Sequence, residues 1–66
     1  MKCIINGDEF NFDEALTLSD LLQSLELDQE RIIVEWNDTL VKNDQFNEIV
    51  VRESDRLELL EFVGGG

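Results

Sequence analysis

A chain of 66 residues with sixteen acidic side chains against five basic ones, net charge -11 at pH 7, is one small acidic domain whose field repels nucleic acid phosphates and anionic lipid heads. It has no histidine and a single cysteine, Cys3, which excludes histidine-based triads, an internal disulfide and Cys/His zinc sites. A domain this short buries only about 60% of the surface its unfolded chain exposes, so little room is left for a strained catalytic cleft and a self-sufficient enzyme is not expected.

In chain order, Lys2 to Asn6 is an apolar run, followed by Asn6-Gly7-Asp8 and then Glu9-Phe10-Asn11-Phe12, a hairpin signal. Either Asn6-Gly7 or Gly7-Asp8 can make the turn. Both put Cys3, Ile5, Phe10 and Phe12 on one face and Lys2, Ile4, Glu9 and Asn11 on the other. Cys3 therefore reads as a small core hydrophobe rather than a reactive thiol.

Thr17-Leu18-Ser19-Asp20 predicts a helix start, with Thr17 as the cap and Asp20 answering its backbone N–H as a short capping box. Leu18, Leu21, Leu22 and Leu25 fall at i, i+3, i+4 and i+7, an apolar stripe to lay on a sheet, with Leu27 closing its end. Arg31 to Trp36 alternates as a third strand, with Ile32 and Val34 on one face and Ile33 and Glu35 on the other. Asn37-Asp38 turns the chain. Thr39 to Val41 is a short extended piece, Lys42 to Asn47 a polar loop around Phe46, and Ile49 to Val51 a short candidate fourth strand. Arg52 to Asp55 is a further turn, and Arg56-Leu57-Glu58-Leu59 alternates as the final strand with Leu57 and Leu59 inward. A sheet of four or five strands holding one helix across a single face accommodates every apolar run, which makes the expected class an α+β roll.

Continued past Leu59, the same alternation places Leu60 and Phe62 outward with Glu58, and Ile33 on a neighbouring strand joins them. Ile33, Leu60 and Phe62 are thus candidate docking residues. Beyond them Val63, Gly64, Gly65 and Gly66 form a tail with almost no side chains, able to extend about 13 Å and expected to project into solvent. A frayed end is the alternative. Glycines that follow an apolar strand without a serine linker, with an unhindered carboxylate on the last, favour a functional end. Such a tail threads a narrow channel and lets its carboxylate approach a phosphate in line. That carboxylate, ionised at neutral pH, resists acyl substitution until it is activated, for example as an acyl adenylate.

Asp8, Glu9, Asp13 and Glu14 lack the spacing and glycine of a calcium loop, so they read as a solvated acidic face and no metal site is expected. The absence of a long apolar run and of a signal-peptide pattern leads us to expect a cytoplasmic protein without membrane contact.

Taken together, Asn6-Gly7, Thr17-Leu18-Ser19-Asp20-Leu21-Leu22, Val34-Glu35, Asp55-Arg56-Leu57-Glu58 and Val63-Gly64-Gly65-Gly66 resemble the ThiS sulfur carriers of thiamin biosynthesis across the whole chain. The resemblance implies a β-grasp, ubiquitin-like fold over residues 1–62 and a flexible glycine tail over 63–66. It also implies that a ThiF-like adenylyltransferase, using ATP and magnesium, adenylates the carboxylate of Gly66, and that a sulfur donor system converts it to a thiocarboxylate consumed by thiazole synthase. Gly65 and Gly66 match the family's terminal pair, with Val63 and Gly64 leading into it, and no residue of the chain would itself be catalytic. Ser54 stands where the family usually has Gly, and Trp36 and Asp38 flank Asn37 where other residues are more usual. A serine with φ > 0 would be strained, which suggests another turn type there. The small subunit of molybdopterin synthase shares fold and tail but is typically longer. A ubiquitin-like modifier, whose activated tail forms isopeptide bonds, is the alternative from a different class.

Overall fold

The computed structural model describes residues 1–62. Asn6 and Gly7 make the first turn, with φ of 51° and 87°, the left-handed pair that a two-residue hairpin loop demands. They join β1 (Lys2–Ile5) to β2 (Asp8–Asn11), with Cys3 opposite Phe10 and Ile5 opposite Asp8. Cys3 and Ile5 are buried while Lys2, Glu9 and Asn11 are exposed, so the inward and outward faces are as the alternation predicts.

A two-residue strand, β3 (Leu16–Thr17), leads into α1 (Leu18–Ser24). The Thr17 hydroxyl accepts from the Asp20 N–H at 3.0 Å, and the backbone of Thr17 pairs with Val50 in a separate ladder. The first two helical N–H groups are met from further along the chain, Leu18 by the Ile49 carbonyl at 2.8 Å and Ser19 by the Phe46 carbonyl at 3.0 Å, which satisfies donors a helix start leaves open. At the other end Glu26 turns left-handed, φ 59°. Its N–H donates to the Gln23 carbonyl, and the N–H of Leu27 donates to that of Leu22, the paired bonds of a Schellman ending.

After the helix come β4 (Ile32–Trp36) and β5 (Thr39–Val41), joined by Asn37 and Asp38 with φ of 50° and 68°. A 3-10 turn, Asn43–Gln45, delivers Phe46 to the interior. The segment expected as a fourth strand narrows to β6 (Val50–Val51), which pairs antiparallel with β3 outside the main sheet. The last strand, β7 (Arg56–Glu61), is longer than its leucine alternation requires. Contrary to the strain argument, Ser54 adopts φ 71°. The turn holds because the Ser54 N–H donates to the Lys2 carbonyl at 2.7 Å and the Asp55 N–H to the Arg52 carbonyl at 3.1 Å.

The main sheet runs β2-β1-β7-β4-β5, with β1 and β7 parallel and the other pairs antiparallel. The strand that leads to the tail is therefore the central one. Cys3, Ile5, Ile32, Val34, Val41 and Leu57 line the inner face and pack on Leu18, Leu21 and Leu22 of the helix, with Phe46 and Val51 filling the flank. All of these are buried, and together they form one core between the helix and the five-stranded sheet, closed at the flank by the β3–β6 ladder.

Candidate functional site

The helix covers one face of the sheet, and among the described residues nothing covers the other. On β7 the inward side chains are Leu57, buried, and Leu59, half-buried, while Glu58 and Leu60 point out. Across the ladder Ile33 is directly opposite Leu60, and Glu35 opposite Glu58. Ile33 is 46% exposed, Leu60 64% and Phe62 46%, so the three residues expected to share an outward patch are large apolar groups left in water. A fourth belongs with them. Leu40, 65% exposed, sits on β5 opposite Glu35. Its signal in the sequence was weak, because a three-residue strand at an edge shows too little alternation to fix which side faces in. Beside Ile33 and Leu60 lies a shallow cavity of about 380 Å³, lined by these two with Glu35, Glu58 and Leu59.

The strand bearing this face is tied down to the last described residue. The amide of Asn6 brackets Leu59, donating to its carbonyl at 3.1 Å and accepting from its N–H at 2.8 Å. The Glu61 carboxylate accepts from the Asp28 N–H at 2.9 Å, and the Phe62 N–H donates to the Arg31 carbonyl at 2.9 Å. The chain thus reaches position 62 on a fixed line from the middle of the sheet. Val63, Gly64, Gly65 and Gly66, the sequence-predicted tail, lie outside the described residues.

Among the described residues, Cys3 and Asp55 depart from their ordinary values. Burial, aided by the negative charges of Asp55 and Glu53, pushes the Cys3 thiol up, which keeps it protonated and unreactive at neutral pH. For Asp55 the largest single influence is burial, which would raise its pKa. Hydrogen bonds from Trp36, the Arg52 N–H and Asn37, with the charge of Arg52, together outweigh it and hold the carboxyl below its usual range. Among the described residues no helix is long and apolar enough to cross a membrane. The exposed face offers apolar area and carboxylates, the makings of a contact surface.

Comparison with known proteins agrees with this geometry. The model of the ThiS family matches residues 2–66. A crystal structure of the thiamine biosynthesis protein ThiS from Geobacter metallireducens superposes with a TM-score of 0.85 at 33% identity, covering 100% of both chains. The sulfur carrier protein ThiS of Bacillus subtilis is 36% identical over 50 residues, 76% of each chain. A thiazole synthase of Paramagnetospirillum magneticum is 38% identical over all 66 residues, which span 20% of that protein's length.

A five-stranded sheet gripping a helix, with an apolar outer face beside the central strand, defines a β-grasp protein of the ubiquitin-like type. The chain belongs to the ThiS family of sulfur carriers.

Proposed function

We propose that this protein carries sulfur as a thiocarboxylate on Gly66 and delivers it to thiazole formation in thiamin biosynthesis. The observation that carries this reading is the family match, which runs through Gly66. In the first step a carboxylate oxygen of Gly66 attacks the α-phosphate of ATP, forming a P–O bond and releasing pyrophosphate. A ThiF-like adenylyltransferase supplies the active site, with magnesium offsetting the phosphate charge. Sulfur at the oxidation level of sulfide, from a donor system, then adds to the acyl carbon and AMP departs, leaving a C–S bond at the terminus.

The reacting groups other than the Gly66 carboxylate belong to partners in the cytoplasm, and the folded domain supplies recognition. Ordering a glycine tail in an active site costs roughly 1–2 kcal/mol per residue, so docking must draw on folded surface. Ile33 on β4, Leu40 on β5, Leu60 on β7 and Phe62 just past the end of β7 provide it. Thiazole synthase is the expected acceptor of the sulfur. The Paramagnetospirillum magneticum relative, which bears that name and includes a stretch similar to this whole chain, supports a working association between the two.

Adenylation is tested by ATP–pyrophosphate exchange with a purified ThiF-like adenylyltransferase and magnesium. Exchange should require this protein and vanish when Gly66 is deleted. Exchange that persists with the deleted chain would overturn the assignment of Gly66.

A further inference from the structure

Two glutamates meet at the middle of the bare sheet face. Glu35 on β4 and Glu58 on β7 are directly opposite and exposed, which puts their Cβ atoms about 5 Å apart. Like charges facing each other across a ladder destabilise it. Among the described residues neither carboxylate has an ion-pair partner. Lys2 pairs with Glu9 and Arg31 with Asp28, while Arg56, two residues along β7 from Glu58, forms no ion pair with either. The acidic pair is bordered by Leu40, opposite Glu35, and by the Ile33–Leu60 row, and it forms part of the wall of the 380 Å³ cavity.

This arrangement selects its occupant. A purely apolar partner would strand two charges when it covered the face. A second copy stacked through the same face would bring four carboxylates together and add two chains of net charge -11. A single cation set in an apolar surround offsets one of the two charges, relieves the repulsion between them and fits the border. A guanidinium fits best, because its planar fork can donate to two carboxylates at once.

We propose that Glu35 and Glu58 form a cation seat at the centre of the docking face, and that the partner's matching surface presents an arginine ringed by apolar side chains. The proposal rests on the reading that this face docks the adenylating enzyme. The pair would then set specificity: it weakens self-association, and it rewards a partner with one positive charge in register.

The test measures affinity for a purified ThiF-like adenylyltransferase by calorimetry at low and high salt, with wild type, Glu35→Gln/Glu58→Gln and Leu60→Asp. The double glutamine variant should bind on the order of tenfold to a hundredfold more weakly and with a flatter salt dependence. It should melt at or above the wild-type temperature, since a repulsion has been removed. Wild-type affinity and salt dependence in the double variant, with binding lost in Leu60→Asp, would overturn the cation seat and leave the docking face standing. Wild-type affinity in Leu60→Asp would overturn the docking face and the seat with it. Sedimentation of the wild-type chain as a dimer that Leu60→Asp dissociates would assign the face to a second copy and likewise overturn the proposal.

Discussion

The indole N–H of Trp36 donates to Oδ2 of Asp55 over 2.9 Å, and that bond joins the β4–β5 turn to the turn before β7. The same carboxylate accepts from the Asn37 side chain at 3.1 Å and from the Arg52 N–H at 2.9 Å. Asn37 completes the junction, its N–H donating to the Arg56 carbonyl at 2.8 Å and its side-chain oxygen accepting from the Arg56 N–H at 2.9 Å. Trp36 and Asn37 thus act as a clasp on the start of the central strand.

Replacing Asp55 with Ala removes three acceptor contacts at once and should cost about 1–3 kcal/mol. That is a large share of the roughly 3–5 kcal/mol available to a domain of this size. Chemical denaturation measures it. A loss within experimental error would mean that solvent replaces the clasp without penalty.

The pH dependence has a definite sign. The carboxyl of Asp55 is held below its ordinary 3.8 in the folded chain, so its contribution is complete above that value and is lost as pH falls through the folded-state pKa. The stability difference between wild type and Asp55→Asn should therefore be constant at neutral pH and shrink under acid conditions. A difference that grows on acidification would reverse the assignment.

Asn6 carries two duties that substitution can separate. It holds φ 51° and brackets the backbone of Leu59 through two hydrogen bonds. Asn6→Gly retains the backbone freedom and loses the bonds, which should cost about 1–2 kcal/mol. Asn6→Ala loses both and should cost roughly 1 kcal/mol more. Equal melting temperatures for the two variants would show that the left-handed turn carries no penalty.

Ser54 and Glu26 sit at φ 71° and 59° without the freedom of glycine. Ser54→Gly and Glu26→Gly should each stabilise the domain by about 0.5 kcal/mol, the relief of strain slightly exceeding the entropy glycine adds to the unfolded chain. Urea denaturation with an unchanged slope is the measurement. Destabilisation by Ser54→Gly would point to a role for the hydroxyl.

These two residues also show where sequence reasoning stops. The hairpin, the leucine stripe and the central strand were legible because each carries a period of two or of 3.6 with matching turn or cap residues, and Ile33, Leu60 and Phe62 followed from the same alternation. The Schellman ending at Glu26 and the turn at Ser54 were not, because neither has the glycine that marks a left-handed position: local bonds to the Gln23 and Leu22 carbonyls hold the first, and a long-range bond to the Lys2 carbonyl holds the second. The stretch from Lys42 to Val51 was opaque for a related reason. Its order comes from carbonyls at Phe46 and Ile49 that cap the helix and from the burial of Phe46, both long-range contacts. Leu40 and the facing of Glu35 with Glu58 required the strand register.

Leu60→Asp places a charge on a residue 64% exposed and should leave the melting temperature within a few degrees of wild type, because surface changes away from special features alter stability by about 0.5 kcal/mol or less. Its effect should appear in partner binding alone. Unfolding of this variant would show that Leu60 supports the fold.

Sulfur delivery by this protein requires Gly66 to become the sulfur-bearing group. Intact mass spectrometry after incubation with a ThiF-like adenylyltransferase, ATP, magnesium and a sulfur donor tests it most directly. The expected product is a species in which one oxygen of the chain has been replaced by sulfur, with fragmentation placing the change on Gly66. A chain whose mass stays unaltered, although the same enzyme and donor convert a ThiS control, would contradict it.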